Sequence, residues 1–213
     1  MAATTDYINL TVYQDESLDE TVTFETSYQI EDHKIIAKIS NDYSGTGFTG
    51  DDEEGQLVAY VINHVGGQYT DGTFTLSISG GNGVTPGATD GVATCTIESG
   101  KISSVTITNA GSGYTSQPTV ALPGGAGTGT GTASISLLVG EAGSLSLNAK
   151  ASQVTAGDTY IVSLPASKTG SLEDGFTGYW DLVAKNNATG KITRHINGEV
   201  YLEKSVTKQG AFT

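Results

Sequence analysis

Ile8-Asn9-Leu10-Thr11-Val12-Tyr13-Gln14-Asp15-Glu16-Ser17-Leu18-Asp19-Glu20-Thr21-Val22-Thr23-Phe24 sets apolar and polar residues in alternation on either side of an acidic run. Ile8, Leu10 and Val12 fall on one face of an extended strand and Asn9, Thr11 and Tyr13 on the other, because side chains alternate across a strand. Val22 and Phe24 resume the pattern after the run, alternating with Thr21, Thr23 and Glu25. The stretch therefore predicts two strands joined by a charged turn, and charge at such an edge discourages strand-to-strand aggregation.

The same period continues outward. Strands are expected at 34–40, 56–63, 74–79, 91–98, 102–109, 119–122, 133–139, 144–147, 159–164, 179–184, 190–196 and 199–206. Turn residues separate them: Glu98-Ser99-Gly100-Lys101, Asn187-Ala188-Thr189-Gly190 and Asn197-Gly198. The Asn-Gly pair is a strong hairpin signal and predicts a tight turn between the last two strands. Helical spacing is nearly absent, and 149–154 is expected to make a single turn at most. The fold class expected is all-β, an Ig-like β-sandwich built from the N- and C-terminal segments. Its core candidates are Ile8, Leu10, Phe24, Tyr179, Trp180 and Leu182.

The 213 residues carry 29 Gly, 15% charged residues and 37% hydrophobic residues, a composition suited to short strands and tight turns. The net charge is -13. A surface this acidic repels phosphate backbones and anionic bilayers, so neither a nucleic-acid nor a membrane partner is expected. No stretch reaches the roughly 20 apolar residues of a membrane helix. Met1-Ala2-Ala3-Thr4-Thr5-Asp6 has no basic region followed by an apolar run, which predicts synthesis and folding in a cytoplasm. The single Cys95 excludes an intrachain disulfide and reads as a small apolar filler in a strand.

Charge is concentrated in 1–63 and 141–213, whereas 66–139 is rich in Gly, Thr and Ser. This shift predicts a discontinuous docking domain, 1–64 and 141–213, with a small β domain, 65–140, inserted into it. The insert repeats itself. Gly66-Gly67-Gln68-Tyr69-Thr70 is echoed by Gly111-Ser112-Gly113-Tyr114-Thr115, and each is followed by a strand, a Gly pair (Gly80-Gly81, Gly124-Gly125) and a second strand. A two-fold internal repeat is expected. Tyr69 and Tyr114 either cover its small core or contact a ligand.

Catalytic motifs are weak. His33, His64 and His195 have no metal-type spacing among them. Gly111-Ser112-Gly113 lacks the strand–helix setting of a nucleophile elbow. The glycine run 124–131 has neither the lysine nor the helix of a phosphate loop. The acidic runs Asp15-Glu16-Ser17-Leu18-Asp19-Glu20 and Asp51-Asp52-Glu53-Glu54 read as solvated loops or weak cation sites, and neither fits an EF-hand. Asn9-Leu10-Thr11 and Asn187-Ala188-Thr189 match the glycosylation pattern by chance, since no secretory signal is seen. No catalytic residue, metal or cofactor is expected, and a hydrolase is the least supported class.

Several tracts resemble a known family. Ile8-Asn9-Leu10-Thr11-Val12-Tyr13-Gln14-Asp15-Glu16, Lys34-Ile35-Ile36-Ala37-Lys38-Ile39-Ser40, Gly178-Tyr179-Trp180-Asp181-Leu182-Val183 and Gly190-Lys191-Ile192-Thr193-Arg194-His195-Ile196-Asn197-Gly198-Glu199-Val200-Tyr201-Leu202 carry it. In this order they resemble the N-terminal β-sandwich of tailed-phage baseplate upper and tail appendage proteins. The insert, with Val105-Thr106-Ile107-Thr108-Asn109-Ala110-Gly111-Ser112-Gly113-Tyr114-Thr115, resembles Gly-Tyr-Thr modules of cyanophage virion proteins. The resemblance implies a non-enzymatic virion component with other virion proteins as partners, present as a symmetric homo-oligomer or as several copies on a ring. In many relatives a long fibre follows the sandwich. Here the sequence stops soon after it, so an adaptor, neck, baseplate or appendage-anchoring role is expected, with capsid decoration as an alternative. A glycan-binding β module is the rival from another class, supported by the 10 Tyr and the single Trp.

Overall fold

The structure, a computed structural model, describes residues 6–24, 33–41, 50–81, 89–129, 133–152 and 159–204. Its strands in chain order are β1 (Asp6–Tyr7), β2 (Leu10–Tyr13), β3 (Leu18–Thr23), β4 (His33–Ser40), β5 (Leu57–His64), β6 (Gly72–Thr75), β7 (Ser77–Ser79) and β8 (Val92–Glu98). They continue with β9 (Lys101–Asn109), β10 (Thr119–Ala121), β11 (Ser134–Val139), β12 (Ser144–Ala151), β13 (Thr159–Leu164), β14 (Thr177–Asn186) and β15 (Ile192–Glu203). One short helix, α1 (Ala166–Thr169), follows Pro165. The chain is mostly β. Ten strands form one mixed sheet in the order β1-β15-β14-β4-β12-β13-β3, with β2 also on β15 and with β5 and β11 branching from β12. The remaining strands make two small antiparallel sheets, β6-β8-β9 and β7-β10, and among the described residues no barrel closes.

Both ends of the chain meet in the large sheet. β1 and β2 run parallel to β15, pairing Asp6 with Ile196 and Leu10 with Val200. The branch lies in β12. Its first half, Ser144 to Leu147, pairs with β4, while its second half pairs with β13 on one side and β5 on the other. Small Ala149 and Ala151, both fully buried, occupy the half flanked on both sides. The expected helical turn at 149–154 is therefore corrected: the alternation Leu145, Leu147, Ala149, Ala151 carries the strand to Ala151, because pairing outweighs alanine's helix preference. Residues 153 and 154 lie outside the described residues, as do Glu25, 130–131 and 205–206.

Leu10, Phe24, Trp180 and Leu182 join one apolar cluster with Ile35, Ile39, Leu145, Leu147, Tyr160 and Val200. Tyr179 is half-buried on the opposite face of β14. Ile8 differs from expectation: it precedes β2, and its side chain is 36% exposed. Its carbonyl, not its side chain, is what the core uses, since it accepts a hydrogen bond from Trp180 Nε1 at 2.6 Å.

Asn197-Gly198 is not a turn. Both residues lie inside the continuous strand β15, with Gly198 opposite Trp180. The glycine serves close approach instead: a Cβ at 198 would overlap the backbone oxygen of Ile8, which crosses there. The hairpin is the other one foreseen. Asn186 Oδ1 accepts from the N–H groups of Ala188 and Thr189 at 3.1 and 2.8 Å, and Gly190 takes φ 70°, turning β14 into β15.

A second apolar cluster holds Leu57, Ile62, Val65, Leu76, Ala93, Cys95, Ile97, Ile102, Val105, Tyr114 and Leu137. Cys95 is fully buried, and burial pushes its thiol up. β5 and β11 pair with each other and serve both clusters. Ala59, Val61 and Leu138 face the first, while Leu57, Ile62 and Leu137 face the second. The expected boundaries near 64 and 140 fall at the ends of β5 and β11 and assign these two paired strands, which serve both cores, to different units.

Candidate functional site

Around the second cluster the two Gly-x-x-Tyr-Thr turns exchange matching backbone bonds. Leu57 N–H donates to Ala110 O, and Ile102 N–H donates to Val65 O, both at 2.9 Å. Tyr114 N–H donates to Gly55 O at 3.0 Å, and Tyr69 N–H to Gly100 O at 3.1 Å. Thr115 N–H donates to Gly81 O at 2.9 Å, and Thr70 N–H to Ala126 O at 3.0 Å. In each pair the second bond lies 45 residues away from its counterpart in the first. The turn glycines share the left-handed region that glycine favours, with φ 67° at Gly66 and 64° at Gly111.

The tyrosine hydroxyls complete this exchange. Tyr114 Oη accepts from Gly91 N–H at 2.8 Å, and Tyr69 Oη accepts from Ala133 N–H at 3.2 Å. Each ring thereby holds the start of the closing strand in the other repeat copy. Tyr114 is buried. Tyr69 is half-exposed beside a pocket of about 450 Å³ lined by Val120, Leu122, Gly129 and Ile135.

A groove of about 1000 Å³ runs between the outer face of β4 and β14 and the 114–117 turn. Lys34, Ile36 and Lys38 point into it from alternate positions of β4, while Ile35, Ala37 and Ile39 point into the core. Lys185 of β14 stands directly opposite Lys34 in register. Burial, with Lys185 as a second cause, lowers Lys34 to about 8. Lys34 Nζ donates to Gln117 Oε1, and Lys38 forms an ion pair with Glu141 at 2.6 Å. Asn186, Asn187 and Glu54 also line it. Strand alternation in the sequence already placed Lys34 and Lys38 on one face. Their meeting with Lys185 depends on register, which no local pattern encodes.

A third surface lies at the β15 end of the large sheet. Tyr7, Tyr13 and Tyr201 are exposed there, with half-buried Tyr179 nearby on β14. Tyr201 Oη donates to Glu199, and this bond, with the charges of Glu199, Tyr7 and Tyr179, pushes the phenol up. The sequence reading took Tyr179 as core. Only the pairing of β1 and β2 with β15 brings Tyr7 and Tyr13 beside Tyr201.

The polar residues singled out from the sequence are used locally. His195 is buried, its ring 4.9 Å from Phe24, and burial followed by the charge of His33 lowers it. The acidic run at 51–54 is not wholly solvated: Asp52 is buried, accepts from Ser146 N–H at 2.6 Å and pairs with Lys168 at 2.6 Å. Asp51 accepts from Gly143 N–H at 2.8 Å, so this run clamps the start of β12. Among the described residues no group of three or more His, Cys, Asp or Glu is placed to hold a metal ion. Among them, too, no helix is long and apolar enough to cross a membrane. Compared with protein-family models, with curated proteins and with solved structures, the chain matches none.

Proposed function

We propose that this chain is a non-enzymatic structural component of a tailed-phage virion, an adaptor in the tail, neck or baseplate that docks through its large sheet. In this reading the sheet folds about β12 as an Ig-like sandwich, with the twice-repeated Gly-Tyr-Thr domain, 65–140, inserted after β5 and including β11. Support for the sandwich comes from the first core. It takes Trp180 and Leu182 from one side of the branch and Tyr160 and Val162 from the other, and the Phe24 ring lies 5.9 Å from Tyr160.

The observation that carries the proposal is the exposed tyrosine surface at the β15 end. Tyrosine gives large, rigid contact area with a polar tip, and it is enriched where proteins meet. Several copies on a ring multiply such contacts by avidity. The test is an electron-microscopy reconstruction of purified particles with this chain located in it, beside particles carrying Tyr7→Ser and Tyr201→Ser together. The chain in a symmetric position, and its loss in the variant, are expected. A chain missing from mature particles refutes the virion assignment, and unimpaired incorporation of the variant refutes the tyrosine surface as the docking face. Capsid decoration differs only in where the map places the chain. Binding of the same tyrosines on a glycan array would favour the glycan-module reading instead.

A further inference from the structure

We propose that the groove over β4 and β14 is a binding site for an acidic, extended polypeptide segment of a partner protein, held by Lys34 and Lys185. This assignment does not depend on the virion reading.

Four basic side chains elsewhere or nearby have found carboxylates: Lys38 with Glu141, Lys168 with Asp52, Arg194 with Asp181 and Lys204 with Asp174. Among the described residues Lys34 and Lys185, like Lys101, Lys150 and Lys191, have not, but only Lys34 and Lys185 stand opposite each other in register, in a chain that holds 23 acidic residues against 10 basic ones. Among the described residues Lys34 bonds only the neutral Gln117 side chain. The two lysines face each other across antiparallel strands, where like charges repel. A carboxylate seated between them removes that repulsion and gains two charge-assisted hydrogen bonds. Burial that lowers Lys34 to about 8 adds to the same demand for a counter-charge.

The rest of the lining selects the kind of acid. Ile36 and Val139 add aliphatic surface to the lining, and Asn187 and the amide nitrogen of Gln117 supply polar groups able to bond a peptide backbone. The one aromatic residue in the lining, Tyr114, is buried and its hydroxyl is engaged by Gly91, so the groove offers no exposed ring for a sugar to stack on. The groove is open to solvent rather than a closed anion cradle. Glu54 and the Lys38–Glu141 pair in the lining limit how much acid it accepts, which favours a segment with few carboxylates in register over a uniformly charged polymer.

The test is fluorescence anisotropy of the full chain at low salt with two labelled peptides of equal length: an alternating Glu/Val peptide and its Gln/Val counterpart. Oligogalacturonate and inorganic phosphate serve as competitors. The Glu/Val peptide is expected to bind, to weaken as salt rises and to lose about tenfold in affinity in Lys34→Gln/Lys185→Gln. The control Lys101→Gln/Lys191→Gln is expected to bind as the parent does. The double variant removes a like-charge pair, so its melting temperature is expected not to fall. Equal affinity in parent and double variant, equal affinity for both peptides, or no binding of the Glu/Val peptide overturns the site. Displacement by oligogalacturonate or phosphate at lower concentration than the unlabelled Glu/Val peptide overturns the peptide assignment.

Discussion

The indole N–H of Trp180 donates to the carbonyl of Ile8 at 2.6 Å, tying the chain's first described segment to its penultimate strand across 172 residues. Gly198 lies against the same carbonyl. Three features thus close one corner of the large sheet: a buried ring, a crossing backbone and a residue without a side chain.

Gly198→Ala tests that corner. A methyl group would meet the Ile8 backbone, which cannot swing away as a flexible side chain could. Overpacking of this kind costs about 1–3 kcal/mol. Urea unfolding measures it. A cost near zero would return Asn197-Gly198 to an exposed turn.

Trp180 separates packing from hydrogen bonding. Trp180→Ala leaves a large void in the core and is expected to cost about 3–5 kcal/mol. Trp180→Phe fills most of that space but strands the Ile8 carbonyl, an expected loss of about 1–3 kcal/mol. Unchanged melting in the Ala variant contradicts the burial of the ring.

Tyr114→Phe leaves the Gly91 N–H without its acceptor in a buried setting, an expected cost of about 1–3 kcal/mol. Tyr69→Phe, at a more exposed site, is expected to cost less. Amide hydrogen exchange locates the effect. Faster exchange at Gly91 in the first variant and at Ala133 in the second is expected, and the reverse pattern would break the proposed exchange between the repeats.

His195 makes stability pH-dependent. Burial, and then His33, holds it below its ordinary value of 6.5. The unfolded chain therefore takes up the proton more readily than the folded one, and stability rises with pH across the interval between the two values. The contribution is complete above about 6.5 and is lost as pH falls through the folded value. Thermal melts from pH 8 to 5 are expected to be flatter in His195→Gln than in the parent. Parallel curves contradict this.

Lys34 is expected to titrate near 8. It faces Lys185 across the strands and shares the groove with Lys38, Glu54 and Glu141, while His33 precedes it on β4. In NMR spectra of the ¹³C-dimethylated protein, its midpoint is expected to rise when Lys185→Gln removes the second cause of the shift. A midpoint insensitive to that change leaves burial as the whole cause and weakens the opposed-lysine reading.

Much of the fold was legible because alternation reports directly on burial. Leu10 and Val12, Ile35, Ala37 and Ile39, and Leu145 and Leu147 are buried in the order their period predicts. The paired Gly-x-x-Tyr-Thr turns were visible too, since left-handed glycines leave a local signature. Less of the surfaces could be read. Tyr69 and Tyr114 were noticed, but their hydroxyls bond to strands 64 and 23 residues away in sequence.

The amino-acid sequence by itself determined most of the strand segments and which of their faces turn inward, since alternation follows from each residue and its near neighbours. Only the tertiary structure decided who lies beside whom. Asn-Gly fits a tight turn and fits equally well beneath a crossing chain, and the return of the N-terminal segment to β15 selects the second. Lys34 and Lys185 become a pair by the register of β4 on β14, a choice made by the whole sheet's packing.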